Sequence, residues 1–414
     1  MEIIQSKIRK MKKKIFTIGL VILGASLNAQ VSDSVALGAG YMNESYYSLE
    51  DGEVVNVANN TWDLAFDMSN FGATIRANRL SEVYLYPGGV GDWETLDTAG
   101  ITGWTRYYNG DANWSYGALN APASPDDAVD LGWGEYNTTT HYTEGSRLFV
   151  VKLQSGDYKK LFIEELGAGA YTFQYDLLDN SDLTNDVIAK ADYSDQNFIH
   201  YSLETKVIVS REPISAEWDI VFSNYHSEVA PDAYYGVTGV LSNIGTETQE
   251  INDVPLADAT FGGAFDTEAN IIGYDWKSFN IDTYAYDIAD SLTYFVFTQA
   301  GDVWKLVMTG FNGSSDGKIY FTKEMISAAG IEEANTIQIT TYPNPAVNVL
   351  NISSTETIEN VKIYNINGQL VLSNSNESNS TIQLDVAQFE NGIYILETTT
   401  LSGISAVRKI IITD

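Results

Sequence analysis

The feature that most constrains this chain is a pattern that occurs twice. Tyr47-Ser48-Leu49 followed by Trp62-Asp63-Leu64-Ala65-Phe66 returns as Tyr201-Ser202-Leu203 followed by Trp218-Asp219-Ile220-Val221-Phe222, at offsets of 154 and 156 residues. Further on, residues 148–151 with Gly156-Asp157 and Lys160-Leu161 return as 294–297 with Gly301-Asp302 and Lys305-Leu306. Landmarks that keep one order at nearly constant spacing define two homologous units, residues 31–185 and 186–330. Val, Ile, Tyr, Phe and Thr dominate their runs, and each Gly-Asp lies between two such runs, where a hairpin turn belongs. The units therefore read as β; residues 189–195 and 323–329 are the best short helical candidates. Residues 86–131 interrupt the first copy with Pro87-Gly88-Gly89, Asn109-Gly110-Asp111 and Pro122 to Pro125, a long loop of the kind that carries binding.

The C-terminal segment, 341–414, has its own punctuation. Pro343 and Pro345 in Tyr342-Pro343-Asn344-Pro345 fix φ and remove two backbone donors, so the chain is extended before a strand begins. Alternating runs follow at 347–353, 358–366, 369–373, 380–386, 393–398 and 407–413, with Asn367-Gly368 as a tight turn between two of them. This segment resembles the type A C-terminal sorting domain of the type IX secretion system of the Bacteroidetes. The resemblance is carried by Tyr342, Pro343, Asn344 and Pro345, by Gly368, by Gly392 and Tyr394, and by the closing Arg408-Lys409-Ile410. It implies a small immunoglobulin-like β-sandwich that the secretion machinery recognises at the outer membrane and removes. The rest of the chain is then released or attached to surface lipopolysaccharide.

The N-terminus agrees with export. Met11-Lys12-Lys13-Lys14 forms a basic region, residues 15–23 an apolar one, and residues 25–29 a small-residue cleavage zone. We expect a signal peptide over 1–29, with Met11 as a second candidate start. The apolar run is too short for a membrane span, so no transmembrane anchor is expected. The chain has no cysteine, which excludes disulfides, thiolate chemistry and a lipid-modified N-terminal Cys. Net charge is −32, with no basic stripe outside the leader, and this argues against nucleic acid as a partner.

The duplicated pattern resembles the HmuY-like haem-binding proteins of the Bacteroidetes, through the Tyr-Ser-Leu and Trp-Asp blocks, Asn78 after Ile75-Arg76, the Gly-Asp hairpins, and residues 237–243 of the second copy. That resemblance implies haem held by two axial His or Met side chains. The chain has three histidines. His141, beside the long loop, is the candidate cofactor ligand, while His200 and His226 are weaker ones; Met42, Met68 and Met308 are the thioether candidates. Trp62 and Trp218, with Phe66 and Phe222, read as core pillars, and Asp63 and Asp219 as braces of nearby backbone.

No His-Glu-x-x-His helix, Gly-x-Ser-x-Gly elbow or phosphate loop is present, so no catalytic residue is assigned. Asp176, Asp179, Asn180, Asp182 and Asp186 cluster without calcium-loop spacing and read as a solvated loop rather than a metal site. The sequence thus describes an all-β exported protein: two tandem units and a sorting domain, binding haem or another surface ligand without catalysis, outside the cell after passage through the periplasm. A surface adhesin that has lost its ligand, and a glycan-active enzyme with its carboxylates hidden in an acidic background, are the rival readings.

Overall fold

The computed structural model describes residues 30–327, 339–365, 369–375, 379–401 and 405–413; the expected leader and the Asn367-Gly368 turn lie outside them. Among the described residues the chain is all-β, and its only helices are single 3-10 turns. The body forms two β-sandwiches. In the first, one sheet runs in the order Thr184–Ala189, Ala170–Leu177, Tyr158–Gly167, Leu148–Lys152, Glu82–Leu85 and Arg106–Tyr107. Its partner sheet runs Val207–Val209, Phe198–Ser202, Leu64–Asp67 and Ile75–Ala77. In the second sandwich, Val31–Ala36, Lys318–Ser327, Val303–Phe311, Thr293–Phe297 and Glu247–Ile251 face Ala233–Ser242, Ile220–Ala230, Asn43–Ser48 and Gly52–Ala58. Each has its own core: Phe66, Phe149, Phe173 and Tyr201 in the first, Tyr47, Phe222, Tyr294 and Phe321 in the second. Burying Phe66 or Phe222 completely stabilises its sandwich by about 2 kcal/mol.

The sequence repeats and the sandwiches do not share boundaries. Residues 31–58 open the first repeat, yet they pair with the second: Tyr47 lies opposite Ile220, and Val35 opposite Ile319. Residues 186–209 open the second repeat, yet they pair with the first: Tyr201 lies opposite Leu64, and Ile188 opposite Tyr171. The opening arms are therefore exchanged. The first sandwich is continuous in sequence, from Leu64 to Val209, whereas the second needs residues 31–58 in addition to 220–327. The units 31–185 and 186–330 mark the sequence repeat, and each sandwich is closed by an arm from across that boundary.

One expected helix is a strand. Lys318–Ser327 runs straight through residues 323–327, with Ile319 and Phe321 buried in the core. The period-2 pattern is masked in sequence by Lys323, which is buried and donates from Nζ to the Leu49 carbonyl oxygen at 2.6 Å. The other helical candidate supplies one 3-10 turn, Lys190–Tyr193, after a strand that ends at Ala189.

The C-terminal module packs Ile339–Tyr342, Val349–Ser354 and Thr381–Asp385 against a four-stranded sheet of Leu370–Ser375, Ile358–Asn365, Gly392–Thr400 and Ser405–Ile412. Leu350, Val361, Ile363, Leu396 and Ile410 fill its core. The Pro-Asn-Pro segment is fastened to the last strand, where the Ile411 amide donates to Asn344 Oδ1 at 2.8 Å and Asn344 Nδ2 to the Lys409 carbonyl oxygen at 3.3 Å. Tyr394 is buried and its hydroxyl donates to the Glu390 carbonyl oxygen, while Tyr342 is exposed.

Candidate ligand-binding cleft between the sandwiches

The two Trp-Asp blocks build matching joints. Asp63 Oδ2 accepts the Leu203 amide at 2.8 Å, and Asp219 Oδ2 accepts the Leu49 amide at 2.7 Å. Asn78 Nδ2 donates to the Trp62 carbonyl oxygen at 2.8 Å, and Asn243 Nδ2 to that of Trp218 at 2.7 Å. Asp63 and Asp219 thus brace backbone, but that of the incoming arm rather than their own. Burial pushes both carboxyls above the ordinary range for aspartate, against the pull of those amides.

Trp62 and Trp218 are buried outside both sandwich cores. Leu64 and Phe66 face the first core, whereas Trp62 shares the opposite side with Ala65; Trp218 and Val221 do the same behind Ile220 and Phe222. Each indole meets the residue one before the repeated tyrosine of its arm. Trp62 meets His200 edge to face at 4.5 Å, and Trp218 meets Tyr46 at 4.9 Å. These outer faces line a cleft between the sandwiches with a cavity volume of about 90 Å³, room for a few waters or one small group.

The long loop of the first copy closes one side. Arg76 is buried on Ile75–Ala77, and its guanidinium donates to the carbonyl oxygens of Gly110 at 2.9 Å, Trp114 at 3.1 Å and Asn113 at 3.2 Å. That network carries Trp114 across to the second sandwich, where its indole nitrogen donates to the Ser242 carbonyl oxygen at 2.7 Å. Of the expected binding loop, 109–114 therefore reaches the cleft.

The charged groups are dense for so small a space. Glu44 and Arg211 form a buried ion pair at 2.6 Å, and the hydroxyls of Tyr46 and Ser223 donate to the same carboxylate. Glu212, also buried, is pushed up to about 8 by loss of solvent, with Glu44 adding to the rise. Burial and Arg211 hold His200 well below the usual imidazole range, and burial with Arg106 and Arg79 lowers His226 to about 4. Five polar atoms of the cleft lining have no hydrogen-bond partner among the described residues: Arg79 Nε, Asp111 Oδ2, His200 Nδ1, Trp218 Nε1 and the Tyr225 hydroxyl. Buried polar groups are ordinarily paired, so five orphans around one cleft mark a place where something polar belongs.

The other candidates lie elsewhere. His141 sits in an exposed turn at φ 62°, its Nδ1 2.8 Å from the Tyr136 hydroxyl, and is not part of the cleft. Met68 and Met308 are buried in the two cores. Asp182 of the acidic cluster is engaged by Lys159 and Lys206, and Asp176 accepts the Asp182 amide. Among the described residues no group of three His, Asp or Glu side chains is placed to hold a metal ion, and no helix is long and apolar enough to cross a membrane. Sequence reading missed Glu44, Arg79, Arg211, Glu212 and Trp114, since none of them belongs to the repeated pattern. The signal that was available is the repeat itself: whatever faces away from both cores beside the Trp-Asp blocks must meet its counterpart.

Residues 340–413 match the secretion system C-terminal sorting domain family, so the chain is a type IX secretion substrate whose tail directs it to the cell surface or beyond. A segment of 156 residues, 37% of the chain and about twice the length of the sorting module, is 28% identical to the β-agarase D of Zobellia galactanivorans. The chain spans 32% of that enzyme's length. Among solved structures the chain aligns with a polysaccharide lyase over 86% of its length and 40% of the lyase, at 8% identity and a TM-score of 0.15. It aligns with latent dimeric PorU of Porphyromonas gingivalis over 82% of its length and 34% of PorU, at 13% identity and a TM-score of 0.16.

Proposed function

We propose that this protein is a surface-exposed or released binding protein with a duplicated HmuY-like body, and that it holds a small polar ligand in the cleft between its sandwiches without catalysis. The single observation that carries this reading is the coincidence, around one cleft, of three indoles with five unpartnered polar atoms. Ligand sites have this composition, with apolar ring faces for contact area and a few placed polar groups for orientation. His141, exposed and paired with Tyr136, stands apart from the cleft, and its size does not suit a porphyrin; we do not assign haem to it. Tryptophan fluorescence tests the reading. A panel of small polar solutes, among them acetate, formate, phosphate, urea and glycerol, should include one that perturbs the emission of the chain, and Trp114→Phe should weaken that response. A panel that leaves emission flat, with no shift in melting temperature, would overturn it.

A second reading is favoured by the similarity to a β-agarase and by the raised carboxyl of Glu212 beside Glu44, since glycosidic bonds are cleaved by a pair of carboxyl groups of which one is held protonated as the acid. Release of reducing ends from agarose by the chain, abolished in Glu212→Gln, would establish that alternative.

A further inference from the structure

We propose that the hairpin of Lys277–Asn280 and Ala285–Ile288 offers its outer edge to an extended strand of another polypeptide, one whose side chains alternate between apolar and basic. This surface is separate from the cleft and does not depend on what the cleft holds. The hairpin belongs to the second copy and has a counterpart in the first, Gly134–Tyr136 with Thr143–Gly145. Their tips match at a spacing of 143 residues. Asn137 Oδ1 accepts the amides of Thr139 at 2.9 Å and Thr140 at 3.2 Å, and Asn280 Oδ1 those of Asp282 at 3.0 Å and Thr283 at 3.2 Å. Asn137 Nδ2 donates to Glu144, and Asn280 Nδ2 to Asp287. His141 and Tyr284 hold the same left-handed position, at φ 62° and 53°, and Trp133 and Trp276 are buried at the two roots.

The copies differ in what lies beside the hairpin. In the first, both edges are paired. The Leu131 amide donates to the Gly134 carbonyl oxygen and the Tyr136 amide to that of Val129, each at 2.8 Å, while Thr143 and Glu144 lie opposite Leu166 and Glu165. In the second, the hairpin is a two-stranded sheet, and among the described residues no backbone hydrogen bond joins either outer edge to another strand. Two changes account for this. Gly273, at the position of Asp130, spends its amide and its carbonyl on Val240, which draws that segment away from Lys277–Asn280. Phe311, at the position of Leu166, puts its ring 4.7 Å from that of Tyr286 and 6.0 Å from that of Trp276, so Ala285–Ile288 rests on side chains instead of a ladder.

An unpaired edge is a template for a further strand. Phe311 fills one side of the hairpin, which leaves Lys277–Asn280. Trp276 gives its carbonyl to the Ala289 amide across the hairpin, so alternation turns the backbone N–H and C=O of Lys277 and Phe279 outward, as it does for Gly134 and Tyr136. Devices that blunt such an edge are missing: the strand has no proline and no bulge, and Lys277 points inward, donating to the carbonyl oxygens of Thr238 and Tyr274. The first copy shows what fits there, an antiparallel segment supplied by residues 129–131.

The side chains around the edge specify the occupant. Phe279, 55% exposed, offers apolar contact to every second residue of an added strand. Asp275, Asp282, Asp287 and Asp290 surround the hairpin and are all exposed, so the other residues of that strand meet negative charge. A second copy of this chain, at a net charge of −32, is repelled, whereas a basic strand is attracted.

The experiment is hydrogen exchange of the chain, read by mass spectrometry over residues 277–280, with capped synthetic peptides of alternating valine and lysine, valine and glutamate, or valine and serine. The lysine peptide should slow exchange of that segment and bind at least about tenfold more tightly than the glutamate peptide, since the charge it meets is reversed. Phe279→Pro removes the outward donor at an edge position where proline is tolerated, and it should abolish the protection. A lysine peptide methylated on every backbone nitrogen should fail as well, which keeps the test available if Phe279→Pro does not fold. Equal binding of the lysine and glutamate peptides would overturn the basic character of the partner. Protection that survives both the proline and the methylation would overturn pairing at this edge, and absence of protection with every peptide would overturn the surface itself. Protection that grows with protein concentration in the absence of peptide would put a second copy of the chain in the place of a foreign strand, and so overturn the proposal.

Discussion

The Asp63 carboxylate and the Leu203 amide, 140 residues apart in the chain, are joined by a 2.8 Å hydrogen bond, and Asp219 repeats the bond with Leu49. These two contacts fasten each arm to the repeat it did not come from. Asp63→Ala and Asp219→Ala should each destabilise the protein by about 2 kcal/mol, the range for a hydrogen bond to a charged group with its partner left buried. Urea denaturation of the variants measures this. Equal loss at the two sites would support their equivalence, and an effect within experimental error at either would show that the carboxylate does not fasten the arm.

The strand exchange makes a sharper prediction about fragments. Because the first sandwich is continuous, residues 60–212 should fold alone and show dispersed amide resonances. Residues 213–327 should not, since Ile220–Ala230 and Lys318–Ser327 would each lose a neighbouring strand. Adding a peptide of residues 30–58 should restore order to the second fragment. A folded 213–327 fragment without that peptide would contradict the assignment.

Much of this architecture was legible in the repeat, and the exchange was not. Pattern reading finds that Tyr47 and Tyr201, or Phe66 and Phe222, occupy equivalent positions, but equivalence does not say which copy an arm pairs with. Both pairings bury the same side chains, and only the length and direction of the segments 59–63 and 210–219 decide. The same ambiguity concealed the cleft. Trp62 and Trp218 were expected in the cores, on the face that alternation would give them with Leu64, Phe66, Ile220 and Phe222, yet they precede the strands, which begin at Leu64 and Ile220, and there the chain leaves the alternation and packs the indoles with Ala65 and Val221 on the other face. Arg79 and Glu212 have no counterpart in the other copy, so no repeat could point to them. The sorting module was easier, because its prolines and Gly392-Ile393-Tyr394 are local signals that need no knowledge of distant partners.

The raised Glu212 carboxyl gives a pH dependence with a defined sign. Its folded value of about 8 lies above the ordinary 4.5, so the stability it contributes is full below about 4.5 and is lost as pH rises through 8. His200 is depressed and acts oppositely, but only below its ordinary 6.5. Between pH 6.5 and 8, therefore, Glu212→Gln should gain on the wild type by up to about 1.4 kcal/mol per pH unit. Thermal unfolding of both proteins across that window checks it; parallel curves would mean that Glu212 is ionised in the fold.

The sorting tail should be separable from the cleft. Deleting residues 339–414 should leave the body folded, since its two cores contain no residue beyond the Lys318–Ser327 strand, and should retain it in the periplasm of a type IX host. Immunoblots of periplasm, cell surface and medium read the outcome, and normal display of the truncated chain would refute the sorting role.

The pairing of Val31–Ala36 with Lys318–Ser327 has a consequence for how the molecule comes into being. Synthesis and export proceed from the N-terminus, yet residues 31–58 are the last part of the body able to find a lasting place. The first sandwich can close as soon as residue 209 is available, while the opening arm waits for almost the whole body to follow it. A chain cut short before residue 318 would keep its first strand unpaired, a handle that a protease or chaperone can grasp. Only a body that has been made to its end can hide its beginning, and the sorting tail, made later still, is by then attached to a finished molecule.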